Sequence, residues 1–327
     1  MLPSADILAR KGRAFLLGLA PRRLTARNPD AFFGVEEIER VHRVYFETGG
    51  ATGTAWDTLR NAHLRLPQWF RQGLDPHGVE YRLQQQRLWR VVAGMDRDYL
   101  AEIDEQACDW SVADPIRTPG FYSRRDDAAI SSAADHILAT GMLLKHCDLR
   151  AGDWALEYGP GFGQSALALS RLGVNVDAVD ISADFCGFIR EQAAFFQVPL
   201  HAFEGRFGDA PRPGKRYKLI WFYESFHHCL DFVHVVRKLG GLLEPDGRLI
   251  LGGEPIVDQP CAAVPYPWGL RLHSEVVAVV RQQGWFELGF NEKFLRDVLA
   301  HAGLGMERID CEPSPFGRLY VCRPQSR

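Results

Sequence analysis

Three glycines at alternate positions, Gly159, Gly161 and Gly163, follow the apolar run Trp154-Ala155-Leu156-Glu157-Tyr158 and precede a helical pattern that starts at Gln164. A turn without side chains lets the backbone approach a ligand where any Cβ would collide. The helix behind such a turn aims free amide groups, and the positive end of its dipole, at whatever sits there. A carboxylate and a pyrophosphate are served equally well, so the glycines alone leave the ligand open. Glu157 narrows the choice. It stands ahead of the turn, where a pyrophosphate loop has no need of an anion, whereas a ligand with an ammonium group and a sulfonium gains from one, directly or through water. Asp180 lies 21 residues after Gly159, at the tip of the next apolar run. An ionised carboxylate there can accept both ribose hydroxyl protons. The other reading of Asp180 is a cap for the helix from Ser182 onward.

A second set of reactive groups follows later. Glu224, His227 and His228 come after Leu219-Ile220-Trp221-Phe222-Tyr223, and Glu254 comes after Arg248-Leu249-Ile250-Leu251. Open parallel sheets bind ligands beyond the carboxyl ends of their strands. One histidine there can serve as a base toward an oxygen nucleophile. Equally, one can pack in the core while the other caps the next helix. Glu224 and Glu254 can act as base or bind a substrate hydroxyl, or be solvated strand-end charges. Three consecutive side chains, His227, His228 and Cys229, rarely converge on one ion, and no fourth ligand stands at standard spacing, so no metal is expected.

The elements that must hold these groups change in character near residue 150. From there the chain alternates short apolar runs with helices, the pattern of a parallel sheet covered on both faces. Strands are expected at 154–158, 174–179, 200–203, 219–223 and 248–251, with helices at 164–172, 183–196 and 232–243 between them. A long irregular stretch, 252–290, precedes a helix at 292–302, and two strands, 306–311 and 318–322, close the chain. Upstream, the periodic segments read helical: Val35, Ile38, Val41 and Val44/Tyr45 after the cap candidate Asp30, then Tyr81 to Val92. A longer helix follows, with Ile130, Ala133, Ile137, Leu138, Met142 and Leu144 expected on its apolar side. Gly49, Gly50 and Gly53 read as loop.

Several of these segments together resemble the class I, Rossmann-like, S-adenosylmethionine-dependent methyltransferases. Leu156 to Gly163 looks like the first motif of that family, and Ala178-Val179-Asp180-Ile181-Ser182 looks like the second. Ser225-Phe226-His227-His228-Cys229-Leu230-Asp231 is similar to a histidine pair followed by an aspartate that is common there. Leu243 to Leu251 resembles the turn into strand five, with Asp246 in place of a usual glycine. The resemblance spans residues 128 to 323. It implies an α/β fold with a seven-stranded, mostly parallel sheet and helices on both faces, preceded by a mainly helical N-terminal region. The expected division is 1–120 for that region and 121–327 for the methyltransferase domain. The cofactor implied is S-adenosyl-L-methionine, held by Glu157, Tyr158, Gly159, Gly161, Gly163, Asp180, Ile181 and Tyr223. Glu204 and Asp209 compete for the adenine, and the local Gly208-Asp209-Ala210 favours Asp209. His227, His228, Glu224 and Glu254 are the catalytic candidates.

The stretch between strand five and the helix at Glu292 is expected to carry substrate contacts, because loops of that length in compact domains are usually functional or disordered. Tyr266, Trp268, Arg271 and His273, with Trp285 and Phe286, are too aromatic a set for disorder and can wall a pocket for a flat or sugar-like acceptor. A lid packed on the core accounts for most of them equally well. Tyr122, Ser123 and Arg125 can close over the cofactor from the other side, or simply begin the long helix.

Composition bounds the rest. Among 327 residues the net charge is -3, which gives no overall attraction to nucleic acid. The seven cysteines are scattered without metal-site spacing, which fits reduced thiols in a cytoplasmic protein. Residues Ala14 to Ala20 are apolar but too short to span a bilayer, and Arg22 and Arg23 close the run without a cleavage site, so a packed or amphipathic helix is expected. The favoured reading is methyl transfer to a small-molecule or glycan hydroxyl, with a homodimer left open. An NAD(P)-dependent oxidoreductase fits less well, because G-x-G-x-G replaces G-x-G-x-x-G, Glu157 precedes it and the turn sits mid-chain. A catalytically silent binding protein has no need of the glycines together with Glu157 and Asp180.

Overall fold

A computed structural model describes residues 31–47, 54–105, 114–125 and 127–325. The readings that fall on Ala14 to Ala20, Asp30, Gly49, Gly50 and Gly53 lie outside the described residues. The chain forms two units. One comprises Met1–Gln106 with Pro255–Leu295, the other Ala107–Glu254 with Arg296–Arg327.

The second unit is built on one seven-stranded sheet. Its strands are β1 (Trp154–Tyr158), β2 (Asn175–Asp180), β3 (Leu200–Glu204), β4 (Tyr217–Tyr223), β5 (Leu243–Gly252), β6 (Leu304–Ile309) and β7 (Leu319–Pro324). Their order across the sheet is β6-β7-β5-β4-β1-β2-β3. The first five run parallel, and β7 lies antiparallel between β5 and β6. Four apolar residues in succession make the centre of β4, and Leu219, Ile220, Trp221 and Phe222 are all fully buried. A strand covered on both faces needs that run rather than alternation. The chain order reverses between β1 and β4, which opens a crevice at the carboxyl edge of the sheet. Leu243 to Gly247, expected as a turn, instead opens β5 with an irregularity, since Tyr217 pairs with Leu243 while Leu219 pairs with Arg248.

Helices α1 (Ala129–His146), α2 (Gln164–Ser170), α3 (Ala183–Phe196) and α4 (Phe232–Leu242) flank the sheet. Helix α1 buries a different side from the one its periodicity suggests. Ser132, Ala139 and Leu143 face inward, while Ile130 is 87% exposed and Ile137 53%. The reason is polar: Arg124 donates to the Ser132 hydroxyl at 2.7 Å, and His136, on the same side, bonds to Tyr223.

The stretch 252–290 is not a loop. Within the first unit it forms strands Ile256–Val257, Trp268–Leu270 and Leu288–Asn291, joined in one small sheet, and a helix, Ser274–Gln283. Four valines among its ten residues, Val276, Val277, Val279 and Val280, weaken the helical signal, because β-branched side chains lose χ1 freedom in a helix. Burial overrides that propensity: Val277, Ala278 and Val280 are fully buried. Helix Ile38–Glu47 meets it through His42 and Gln282 at 2.7 Å and through the Glu39–Arg281 ion pair. Helix Val79–Ala93 holds the sheet by Tyr81 and Gln85, which both donate to the Trp268 carbonyl, at 2.5 and 3.2 Å. Residues 255–295 thus group with the N-terminal segment in one unit, while the expected division falls at residue 120.

Candidate active site

The glycine turn between β1 and α2 has all three glycines in the left-handed region, with φ of 65° at Gly159, 53° at Gly161 and 67° at Gly163. They do different work. A Cβ on Gly159 would lie 2.7 Å from the Ser225 Cβ, and one on Gly163 2.7 Å from the Ile189 side chain. Those two let the turn pass close to its own protein. Above Gly161 a Cβ would meet nothing within 4 Å, so only there does the backbone border open space.

Glu157 is buried at the strand end. One carboxylate oxygen accepts the Ser165 hydroxyl, which the Trp221 indole N–H also reaches at 3.4 Å; the other oxygen, Oε2, is buried without a partner. Burial pushes this carboxyl up to about 7, against the pull of Ser165 and Trp221. Asp180 ends β2 and holds the turn. Its oxygens accept the Gly161 amide at 3.2 Å and the Ser182 amide at 2.8 Å, and burial raises it to about 6. Ser182 itself caps α3 by accepting the Phe185 amide. The next residue, Ile181, leaves an apolar side chain 48% exposed at the strand tip. Two carboxyl groups thus flank a side-chain-free opening.

The remaining cofactor candidates fall into place around it. Tyr158 is fully buried, stacks on Phe222 and donates its hydroxyl to the Asp209 carbonyl at 2.7 Å, so it anchors the loop after β3. Asp209 uses its carboxylate on the Arg206 amide at 2.9 Å. Glu204 stands opposite Asp180 in the β2–β3 pairing and is largely exposed, with Arg190 at 4.0 Å.

Across the β1–β4 pair, Ser225 donates its hydroxyl to the Tyr158 carbonyl at 2.8 Å, which seats the turn Phe226–His228 against the glycines. Glu254, fully enclosed at the end of β5, organises that turn. It accepts the amides of Ser225 at 3.0 Å, Phe226 at 2.8 Å and His227 at 3.1 Å, and the His227 Nδ1 lies 2.8 Å away. Burial pushes the Glu254 carboxyl up to about 7, opposed by those same amides. An ionised Glu254 fixes the proton of His227 on Nδ1 and leaves Nε2 with its lone pair. His228 packs beside His227, ring centroids 4.4 Å apart. Both Glu254 oxygens are thus occupied by the turn and by the His227 ring.

Glu224 occupies a separate cluster. Its φ of 51° is left-handed, a costly conformation for a side-chain-bearing residue, and Gly253 leaves room for its Cγ. Its carboxylate lies 3.5 Å from the His136 Nδ1, which is 3.0 Å from the Tyr223 hydroxyl. Phe121 stacks on the His136 ring, and burial lowers that imidazole to about 4, so it is neutral. His136 had no sequence signal, since its helix reads as amphipathic. Ser165 and Ser225 were equally invisible, because a hydroxyl's partner is set by the fold. Tyr122 is exposed, Ser123 bonds back to the Gly120 carbonyl and Arg125 to that of Tyr122, so this segment shapes the approach to α1.

The proposed acceptor residues all lie in the first unit. Tyr266 donates to the Leu270 carbonyl and Trp268 to that of Pro76 at 2.8 Å, and both rings are buried. Arg271 pairs with Glu287 out of solvent.

Residues 156–251 match a family described as "Methyltransferase domain". The sheet order, the glycine turn and this match define the second unit as a class I, Rossmann-like, S-adenosylmethionine-dependent methyltransferase domain. Among relatives, 27-O-demethylrifamycin SV methyltransferase of Amycolatopsis mediterranei is 34% identical over 164 residues, 49% of this chain and 56% of that protein. The uncharacterised methyltransferase YcgJ of Bacillus subtilis is 24% identical over 143 residues, 41% of this chain and 54% of its own. A solved structure, 1,6-didemethyltoxoflavin-N1-methyltransferase of Burkholderia thailandensis, aligns over 68% of this chain and 92% of its own at 17% identity, with a TM-score of 0.44. The chain spans about half the length of the curated relatives it matches.

The residues present fit S-adenosylmethionine. An unpartnered, buried carboxylate oxygen on Glu157 suits a cationic ligand, the opening above Gly161 admits one, and Asp180 keeps lone pairs for hydroxyl donors. Among the described residues no helix is long and apolar enough to cross a membrane.

Proposed function

We propose that this protein transfers a methyl group from S-adenosylmethionine to a hydroxyl of a small molecule or glycan in the cytoplasm, with His227 as general base. The observation that carries the reading is the Glu254–His227 pair, held at 2.8 Å on the turn that Ser225 fastens to the glycines. S-adenosylmethionine supplies a methyl carbon on a cationic sulfur. Glu157, Gly161, Asp180 and Ile181 hold it in this reading, with Tyr223 at the neighbouring strand end and Asp209 toward the adenine. Nε2 of His227 would take the proton of the acceptor hydroxyl. Glu254 keeps the imidazole in the required tautomer and stabilises the imidazolium. His228 and Glu224 border this chemistry and are secondary candidates. That the 34% relative is named for an O-demethyl compound supports an oxygen acceptor.

Calorimetric titration with S-adenosylhomocysteine and with NAD tests the cofactor. Binding of the first alone supports the reading; binding of NAD alone replaces it with an oxidoreductase. A screen of hydroxyl acceptors with a radiolabelled methyl donor then tests the reaction. His227→Ala is expected to abolish labelling while S-adenosylhomocysteine still binds, and retained labelling removes His227 as the base.

A further inference from the structure

The first unit contains a polar cluster that methyl transfer does not use. His63 and His273 face each other across an antiparallel bridge, their rings 5.2 Å apart. The bridge is fixed on both sides, by the Leu64 amide on the Leu272 carbonyl at 2.8 Å and the Ser274 amide on that of Ala62 at 2.9 Å. Arg271 lies two residues before His273, on the same side of an extended segment, paired to Glu287. Three nitrogens here are buried without a hydrogen-bond partner: Nδ1 of His63, Nδ1 of His273 and Nε of Arg271. A buried polar group left without a partner is costly, so three in one cluster call for a ligand that satisfies them.

The charges decide its class. The Arg271 guanidinium and the N-terminus of helix Ser274–Gln283 oppose a metal cation. Glu287 already neutralises Arg271, so a full anion gains little. Burial lowers both histidines, His273 to about 3, and keeps them neutral. A hydroxyl meets every requirement, because it donates to an imidazole lone pair and accepts the Arg271 Nε–H. We propose that His63, His273 and Arg271 form a binding site in the first unit for a neutral compound with adjacent hydroxyls, a sugar or cyclitol. The site goes beyond the methyl-transfer reading and does not depend on it.

The full chain, labelled with 15N-histidine, is titrated with methyl glucoside and with myo-inositol while the ring nitrogens of His63 and His273 are followed by NMR. Saturable shifts of both are expected, with binding about tenfold weaker in His273→Phe, the factor one lost hydrogen bond represents. His63→Asn gives the same comparison should His273→Phe fail to fold. Separate titrations use sodium phosphate and zinc chloride. Absence of a saturable shift with either polyol overturns the proposal, as does saturation by phosphate or zinc instead.

Discussion

Replacing Glu254 by glutamine tests the catalytic geometry most sharply. The substitution keeps size and removes one charge. The carboxylate receives three backbone amides and faces the His227 Nδ1, two contacts on each oxygen. A glutamine oxygen can serve the Ser225 and Phe226 amides, but its NH2 then meets the His227 amide as donor against donor. The imidazole must shift its proton to Nε2 to accept from that NH2. Two hydrogen bonds to a charged acceptor are lost, at about 1.5–3 kcal/mol each, and one is regained, so destabilisation of about 2–4 kcal/mol follows. A base with its lone pair turned inward should cost about 10²–10⁴ in turnover, while S-adenosylhomocysteine affinity stays within about threefold. The direct assay is 15N NMR of His227, where the protonated nitrogen should change from Nδ1 to Nε2. A folded Glu254→Gln protein with an unchanged tautomer, or with full turnover, refutes the orienting role.

Other outcomes are equally concrete. Asp180→Ala removes the acceptor of the Gly161 and Ser182 amides and should weaken S-adenosylhomocysteine binding by about 1–3 kcal/mol in calorimetry; an unchanged affinity disproves its ribose role. Gly163→Ala should lower thermal stability through the Ile189 contact, whereas Gly161→Ala should lose affinity with a smaller stability loss; equal effects on both measurements contradict the division of labour. Glu157 and Asp180 sit at about 7 and 6 in the free protein, so they should shed protons when a cationic ligand binds. Affinity should therefore rise from pH 5.5 to 8, with proton release visible as a buffer-dependent heat, and a flat profile counts against Glu157. Because their folded values exceed the unfolded ones, both carboxyls favour folding below about pH 4, and that contribution fades as pH climbs through 6 to 7. His273 runs the other way. Its folded value, about 3, lies under the unfolded 6.5, so its contribution holds above 6.5 and is lost as pH falls toward 3. Acid unfolding should then begin at lower pH in His273→Phe, followed by tryptophan fluorescence.

The sheet was legible because a strand covered on both faces leaves an unbroken apolar run, and 219–223 has few other uses. The glycine turn, Asp180 and the His227–Glu254 region were legible because each sits at a strand's carboxyl end, a position that chain order alone reveals. What stayed hidden depended on contacts between distant residues. Glu224 and Glu254 read alike in sequence, as base, substrate-hydroxyl ligand or strand-end charge, and the three amides that single out Glu254 come only with the fold. His136 lies 87 residues from the Tyr223 it bonds, and nothing local marks it. The helix Ser274–Gln283 was lost to its own valines, and with it the assignment of residues 255–295 to the first unit.

That assignment bears on how the protein is made. The helix at Ile38–Glu47 and the one at Ser274–Gln283 are partners, yet the ribosome delivers residues Ala107–Glu254 between them. The first unit must wait, half-synthesised, with Trp89 and Gln85 short of the carbonyls they will meet at Gly284 and Trp268. The central sheet can begin to pair in the meantime. Cutting the chain after residue 106 strands the returning segment 255–295 without its partners, so the second unit is not separated by simple truncation.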